Sequence, residues 1–558
     1  MLLCAFIRRT LRDHAHGAGI ALTAALIWIV HPLNTAAVTY IVQRAESLAA
    51  LWIVAALYCF QRSTTGRGAW RVAAVAAAFA GVATKETAAV IPLLVLLFDR
   101  CIVSGTFGAA VRQRPGFYCA LASAWLALGL LIASTGARGG SAGFASANAW
   151  HYALTQAGGI LHYLRLAVWP HPLTFDYGTP LVRDLAGAAV PLAVIVGMLA
   201  VTIQLLRRAP RIGFVVAAFF VLLAPSSSVV PVATQTLAEH RMYLPLAALA
   251  VLSAAGLWRW RPRQAWPVTL ALAAVLGIGT YQRNTAYHDE VGLWRDTTQR
   301  APQNARAWSN LGFALAQRGD FTAAIPHYRR ALELEPDFAD AHNNLGNALV
   351  ELGAIEEALE VLERAAALSP NDPDVHNSLG RVRLLRGQFL EAGRAFHAAL
   401  RLAPNYALAH SNLGQALAAQ GDASAALAAL GTAVRLAPRD VTFRNNLANL
   451  LAALGRSGDA AAHYQAALGL APSDALTHFN FANLLRETGR FDDAITHYQA
   501  ALAQQPDYVE AHVNLAVALQ QSGHAGEAIA HYETALRLRP GDPIAEANLR
   551  QLRGTAPR

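Results

Sequence analysis

Lysine is almost missing from this chain: Lys85 is the single lysine among 45 basic side chains, and the rest are arginines. Cysteine is scarce as well. Cys4, Cys59, Cys101 and Cys119 are the full set, and none lies in the second half. That excludes a disulfide-stapled scaffold and a cysteine-rich metal module. No phosphate-binding glycine loop is present, so nothing points to a P-loop nucleotide site. The opening MLLCAFIRRTLRD is too polar, and its apolar part too short, for a signal peptide. Acidic residues are sparse at first: residues 1–301 hold 10 Asp and Glu against 24 Lys and Arg, a net charge of +14.

What is present divides the chain in two. Hydrophobic residues make up 54% and charged residues 15%, too apolar for an ordinary soluble protein. Residues 302–558 reverse the balance, with 21 basic against 26 acidic side chains, so the high isoelectric point belongs to the first half. Basic residues there cluster in short loops, which predicts membrane orientation rather than a nucleic-acid surface.

Apolar runs fall at roughly 18–31, 47–61, 70–84, 87–99, 117–135, 186–206, 212–225, 243–258 and 266–282. They predict about nine membrane spans within a polytopic domain over 1–282, although several are shorter than the ~20 residues that cross a bilayer. One set of loops carries Arg8, Arg9 and Arg12; Arg62, Arg67 and Arg71; Arg100, Arg112 and Arg114; Arg207, Arg208 and Arg211; Arg259, Arg261 and Arg263. Arginine-rich loops stay in the cytoplasm, so nine spans from an inside start place the second half outside. The four thiols then sit at cytoplasmic helix ends and stay reduced. Residues 150–170, rich in aromatics and histidine, read as an interfacial or re-entrant helix on the outer face.

Ten ionisable residues collect at the predicted outer edge: His31, Arg44, Glu46, Lys85, Glu86, His171, Asp176, Glu239, His240 and Arg241. Charge beside an apolar run is costly unless it is paired or lines a watery cavity. Thr84-Lys85-Glu86 is the focus, because an ammonium is a compact point charge suited to a phosphate, whereas arginine is a planar fork. Acids and bases in one membrane-edge cavity suit the binding of a lipid-linked phosphate and the activation of a hydroxyl. The plainer reading makes the same groups interfacial anchors and structural ion pairs.

Four segments carry a resemblance: HPLNTAAVTYIVQRAESLAALW, TKETAAVIPLLVLLFD, WPHPLTFDY and EHRMYLPLAAL. They resemble the transmembrane-and-TPR family of protein O-mannosyltransferases, within the GT-C glycosyltransferase class. The resemblance implies a polyprenyl-phosphate sugar donor, with mannose as the implied sugar, and a Ser or Thr acceptor on an exported protein. It places Lys85, Arg44, Arg241 and His31 at the lipid-phosphate sugar and leaves Glu86 and Asp176 as candidate catalytic acids. It departs at the start. Such enzymes begin with one more span and a first outer loop bearing the catalytic aspartate, whereas Asp13 is here the only acid before Glu46.

The second half is a strict repeat. Prolines stand at 302, 336, 370, 404, 438, 472, 506 and 540, each 34 residues apart, which is the tetratricopeptide (TPR) period. Alanines recur at 324, 358, 392, 426, 460, 494 and 528 and again at 331, 365, 399, 433, 467, 501 and 535. Glycines recur at 319, 353, 387, 421, 455, 489 and 523. Small alanines let paired helices approach, glycine permits the turn between them and proline stops the second helix. The expected layout is a linker with a degenerate half repeat over 283–302, seven repeats over 303–540, and a capping helix and tail over 541–558. The fold class is thus all-α, a polytopic helical domain followed by an α-solenoid.

Asn310, Asn344, Asn412, Asn446, Asn480 and Asn514 recur at one register of the first helix, with Ser378 as the gap. Asparagine is a mediocre helix former, so the register needs a reason. One is a peptide groove lined by an amide ladder, as in the O-GlcNAc transferase superhelix, which this half resembles. The other is an amide bonded to a neighbouring helix. His342, His376, His410, His478 and His512 sit two residues earlier and read as helix-surface residues, not metal ligands, since they lie on separate repeats.

Three functions compete. The first is a glycosyltransferase-like enzyme of the bacterial inner membrane whose extracytoplasmic solenoid recruits the acceptor. The second is a non-catalytic, membrane-anchored TPR scaffold. A transporter ranks last, because the chain lacks internal duplication. The expected partners are the lipid bilayer, a lipid-linked sugar and a protein in the groove, with no nucleic acid and no bound cofactor or metal.

Overall fold

The computed structural model describes residues 1–39, 44–66, 68–135, 149–225 and 236–555. Arg67 and residues 40–43 of the first resemblance segment therefore lie outside the described residues. By contacts the chain divides into two units, Met1–Ala323 and Ala324–Arg558.

The first unit is mostly helical, with an extended segment at 169–184. In chain order its helices are α1 (Leu2–Thr10), α2 (Gly17–Val30), α3 (Thr35–Thr39), α4 (Arg44–Ser63), α5 (Ala69–Thr84), α6 (Ile91–Phe98), α7 (Phe107–Gln113), α8 (Pro115–Thr135), α9 (Ala149–Val168), α10 (Leu185–Arg208), α11 (Pro210–Ala224), α12 (Pro245–Trp260), α13 (Ala265–Ala286), α14 (Glu290–Arg300) and α15 (Ala305–Gln317). All nine apolar runs lie on helices. Among the described residues, four helical stretches are long and apolar enough to cross a membrane: Glu86–Ser104, Pro115–Ser134, Leu185–Arg208 and Pro262–Ala286. A bent pair, Gly17–Val30 with Pro32–Val38, makes a possible fifth.

Local chemistry sets where these helices start and how closely they pack. Asp184 caps α10, accepting a hydrogen bond from the Gly187 N–H at 2.7 Å, which satisfies one of the orphan donors of the first turn. Phe6, Phe60, Phe98, Phe117 and Phe214, from five segments, form one aromatic cluster in the core of this unit. Gly19 of α2 lies directly under the Trp258 ring of α12, where a Cβ would come within 2.3 Å. The Trp258 indole N–H then donates to Thr23 at 3.0 Å. Helix α9, expected at the interface, buries Tyr152, Gln156, Tyr163 and Leu166 within the unit.

The second unit is a run of helical hairpins. Each repeat pairs a 13-residue helix with a 14-residue one, as in Ala407–Ala419 with Ala423–Leu436 and Ala475–Glu487 with Phe491–Gln504. The recurring alanines are its packing code: Ala324, Ala331, Ala358, Ala365, Ala494 and Ala501 are fully buried. Between them a large side chain fills each hairpin, among them Leu362, Phe396, Tyr464 and Tyr498. Gly421 has φ +86°, a left-handed conformation that turns the chain between the two helices and that residues with a Cβ rarely adopt. Asp422, Asp440 and Asp474 cap the helices that follow them. Pro543–Thr555 ends the described chain as a helix packed on Ala525–Leu538.

Candidate functional site

The residues singled out in the first unit fall into two groups. In the first, Lys85 ends α5 in an extended conformation, and Glu46 lies in the first turn of α4. The Lys85 Nζ donates to Glu46 Oε1 at 2.6 Å, and Thr87 Oγ1 approaches Oε2 at 3.5 Å. Glu46, Thr87, His240, Arg241 and Tyr243 line a small polar cavity of about 20 Å³. That volume admits about one water, for which a cavity needs roughly 10–15 Å³. The His240 ring is held neutral. Burial, reinforced by the Lys85 and Arg241 charges, lowers the imidazole pKa from 6.5 to about 3. Arg241 is buried and committed: its Nη1 donates to Tyr152 Oη at 3.0 Å and to the Thr236 carbonyl at 2.9 Å.

An apolar cavity of about 130 Å³ adjoins the polar one, with Ile53, Leu222 and Leu244 lining both. Its far end reaches Leu3, Phe6, Ile7, Thr10 and Arg211. The two cavities are thus neighbours, one apolar and one polar.

The second group is a set of clasps around the segment 169–184. Glu239 is buried and accepts from the Thr174 N–H at 2.8 Å and Tyr177 Oη at 3.0 Å, with Arg283 Nη2 at 3.5 Å. Burial pushes the Glu239 carboxyl upward against the Arg283 charge. Asp176 is 2% exposed and takes a two-pronged bond from Arg306, Nε to Oδ2 at 2.5 Å and Nη2 to Oδ1 at 2.7 Å. Such forked pairs are the strong class of charge-assisted hydrogen bond. Asn304 and Arg300 add bonds to the Asp176 and Leu173 carbonyls. Every group involved lies within the first unit, so the clasp fixes the segment to α14 and α15.

The remaining candidates stand apart. His31 accepts from the Leu33 N–H through Nδ1 at 3.2 Å, and its Nε2 lies 3.1 Å from the Ala167 carbonyl. Both its ring nitrogens are thus spent on backbone. Arg44 is exposed at the start of α4, and Glu86 is half-buried in the turn that follows Lys85. His171 is exposed in the segment after α9.

Sequence reasoning missed the partners. Tyr177 and Tyr152 lie in aromatic stretches where nothing distinguishes them from packing residues, and Arg283 lies at the start of the linker, just past the last apolar run. Arg306 lies in a TPR helix where the repeat pattern conceals it. It also missed a network at the other end of α6, where fully buried Asp99 binds Arg114 at 2.9 Å, Tyr118 Oη at 2.6 Å and Ser104 Oγ at 2.7 Å.

In the second unit the asparagine register forms bonds between repeats. Asn412 Nδ2 donates to Asn377 Oδ1 at 3.0 Å, Asn446 to Ser411 Oγ at 3.1 Å, Asn480 to Asn445 Oδ1 at 3.3 Å and Asn514 to Asn483 Oδ1 at 2.9 Å. Ser378, the gap in the register, accepts from Asn347 at 3.0 Å. Asn344 and Asn310 are half-buried at the same register. One amide proton of each bonded side chain therefore ties a helix to the repeat before it.

Comparison with known proteins defines the class. The family profile described as the C-terminal domain of cilia and flagella-associated protein 70 matches residues 238–479. A tetratricopeptide-repeat profile matches residues 479–543. The chain is thus an all-helical TPR repeat-containing protein. Among solved structures it is similar to a thermophilic TPR protein of Thermus thermophilus, at 26% identity and TM-score 0.31, over 32% of this chain and 98% of that one. It is also similar to PilF of Pseudomonas aeruginosa, at 20% identity and TM-score 0.34, over 38% and 97%. YrrB, described as a TPR protein with an unusual peptide-binding site, matches at 20% identity and TM-score 0.23, over 40% and 97%. No curated protein matches the chain.

Proposed function

We propose that this protein is a membrane-anchored TPR scaffold whose solenoid holds a partner polypeptide. The amide ladder carries the reading. Asparagines recur on the first helices at one register, and Asn412, Asn446, Asn480 and Asn514 are held by bonds between repeats, so their remaining donors and acceptors are pre-positioned along a line. An extended peptide has a backbone donor or acceptor at every residue, and a fixed row of amides matches that demand without reading its sequence. In the first unit the charged residues fit an anchor: Lys85 is paired with Glu46, Asp176 with Arg306 and Glu239 with Arg283. The apolar helices lie in a bilayer, with the arginine-poor loops and the solenoid on the extracytoplasmic side.

Photo-crosslinking residues placed at 344, 446 and 514 test the ladder, with positions 360 and 394 on the second helices as controls. Crosslinks to protein from the ladder positions alone support the reading, and equal yield from both sets contradicts it.

A second reading is favoured by the neighbouring polar and apolar cavities, which share three lining residues. There a polyprenyl chain lies in the apolar cavity, its phosphate meets Lys85 and Arg241, and a sugar passes to a Ser or Thr of an acceptor protein. The polar cavity would have to open, since about 20 Å³ is far below a hexosyl phosphate. Sugar transfer to a co-expressed acceptor that disappears in Lys85→Ala, with the protein still folded, would replace the scaffold reading with this one.

A further inference from the structure

The repeats carry a feature that a scaffold does not require. His478 and His497 face each other across one hairpin with Nδ1 atoms 2.8 Å apart, and His512 and His531 repeat the arrangement in the next hairpin at 3.0 Å. Each pair joins the first helix of a repeat to the second, 19 residues on. The first-helix rings are fixed from behind: His478 Nε2 lies 3.0 Å from the Pro472 carbonyl, and His512 Nε2 lies 3.0 Å from the Pro506 carbonyl. A carbonyl only accepts, so those Nε2 atoms carry the proton and Nδ1 of each neutral ring presents a lone pair to its partner. A ring N–H donated to a backbone carbonyl is also how metal-binding histidines are usually oriented.

We propose that the two imidazole pairs, His478 with His497 and His512 with His531, are two-nitrogen binding sites for a late first-row divalent cation, Cu²⁺ or Ni²⁺. Two nitrogens at about 2.0 Å from a metal and at right angles to each other lie about 2.8–2.9 Å apart, whereas a tetrahedral zinc site spreads them to about 3.3 Å. The 2.8 Å pair matches the right-angled geometry of square-planar copper and nickel, and the 3.0 Å pair lies nearer to it than to the tetrahedral spacing. Binding needs one proton to leave Nδ1 of His497 or His531 and one to be taken up at Nε2 of the same ring through solvent, so the ring stays neutral. Burial first, and the facing ring second, push both of these imidazoles below their ordinary pKa. Asp493 and Glu527, one turn earlier on the same helices, add negative charge nearby, and Arg490 near His497 partly offsets it. Water supplies the remaining ligands. Among the described residues no group of three or more His, Cys, Asp or Glu is placed to hold a metal, so each site is a half-shell of two protein ligands.

The repeats supply their own controls. His342, His376 and His410 occupy the first-helix register and bond the preceding proline carbonyl in the same way. Their facing positions hold Val361, Ala395 and Ala429, so no second nitrogen is there. The proposal departs at two places from the expectation that these histidines are not metal ligands because they lie on separate repeats. The second ligand comes from within the repeat, at a register that the proline period does not mark.

The test is Cu²⁺ titration of the full chain, read by calorimetry and by electron paramagnetic resonance. The comparison is the His497→Ala/His531→Ala double variant, whose substitutions restore the alanine found at 395 and 429. The parent is expected to bind two more Cu²⁺ equivalents than the double variant, with nitrogen hyperfine structure from two rings. Each single variant should lose one equivalent. Saturating Cu²⁺ should raise the Tm of the parent and leave that of the double variant unmoved, because only a native-state site stabilises. Equal copper stoichiometry in parent and double variant overturns the proposal, as does a Cu²⁺-induced rise in Tm that survives both substitutions.

Discussion

The Lys85 ammonium lies 2.6 Å from a Glu46 oxygen, with the two side chains only 16% and 11% exposed. The single lysine of the chain thus joins the end of α5 to the first turn of α4. Breaking a buried pair leaves one charge without its partner, whereas replacing both by apolar groups of similar volume is nearly neutral. Lys85→Met alone, and Glu46→Leu alone, should each destabilise the protein by about 3–5 kcal/mol. The double variant should recover most of that loss. A thermal melt of all four proteins in detergent checks the cycle. Single variants as stable as the parent would show that the pair contributes nothing to the fold.

The turn glycines supply a prediction local to the solenoid. Gly421 has φ +86° and nothing within 4 Å of where a Cβ would lie, so Gly421→Ala adds backbone strain without a clash. The expected cost is about 1–2 kcal/mol. Hydrogen exchange should show it mainly in the hairpin Ala407–Leu436 and its nearest neighbours, because each repeat contacts only the repeats beside it.

His240 makes stability depend on pH. Its folded pKa is lowered from 6.5 to about 3, so below 6.5 the unfolded chain takes up a proton that the folded one refuses. Its contribution is therefore lost as pH falls from 6.5 toward 3, reaching about 2 kcal/mol at pH 5. Above 6.5 both states are neutral and the effect vanishes. Melting temperatures of the parent and His240→Asn at pH 7.5 and pH 5 should differ in their pH dependence, the variant losing less. Parallel pH profiles would contradict the assignment.

Much of this was legible in the sequence because periodicity translates directly into packing. The alanines at the two 34-residue registers are the residues the hairpins bury completely, and the glycines between helices take the left-handed conformation that the turn requires. The nine apolar runs all lie on helices. The partners of the charged residues were not legible. Glu46 and Lys85 are 39 residues apart, and Asp176 and Arg306 are 130 apart, and no periodic pattern links positions at such separations. Nor did the sequence show that neighbours in the membrane-edge set take different partners: His240 lines the cavity with Glu46, whereas Glu239 beside it bonds Thr174 and Tyr177. The histidine pairs escaped for a related reason. They depend on a 19-residue offset within a repeat, and only two of the repeats hold histidine at both places.

The central claim is that a partner polypeptide lies along the asparagine face of the solenoid. Photo-crosslinking in cells, scanned through 344, 446 and 514 and compared with 360 and 394, measures this directly. Adducts with one and the same polypeptide are expected from all three ladder positions, and none from the second-helix positions. Adducts from 360 and 394 at equal yield, or none from the ladder, would contradict it.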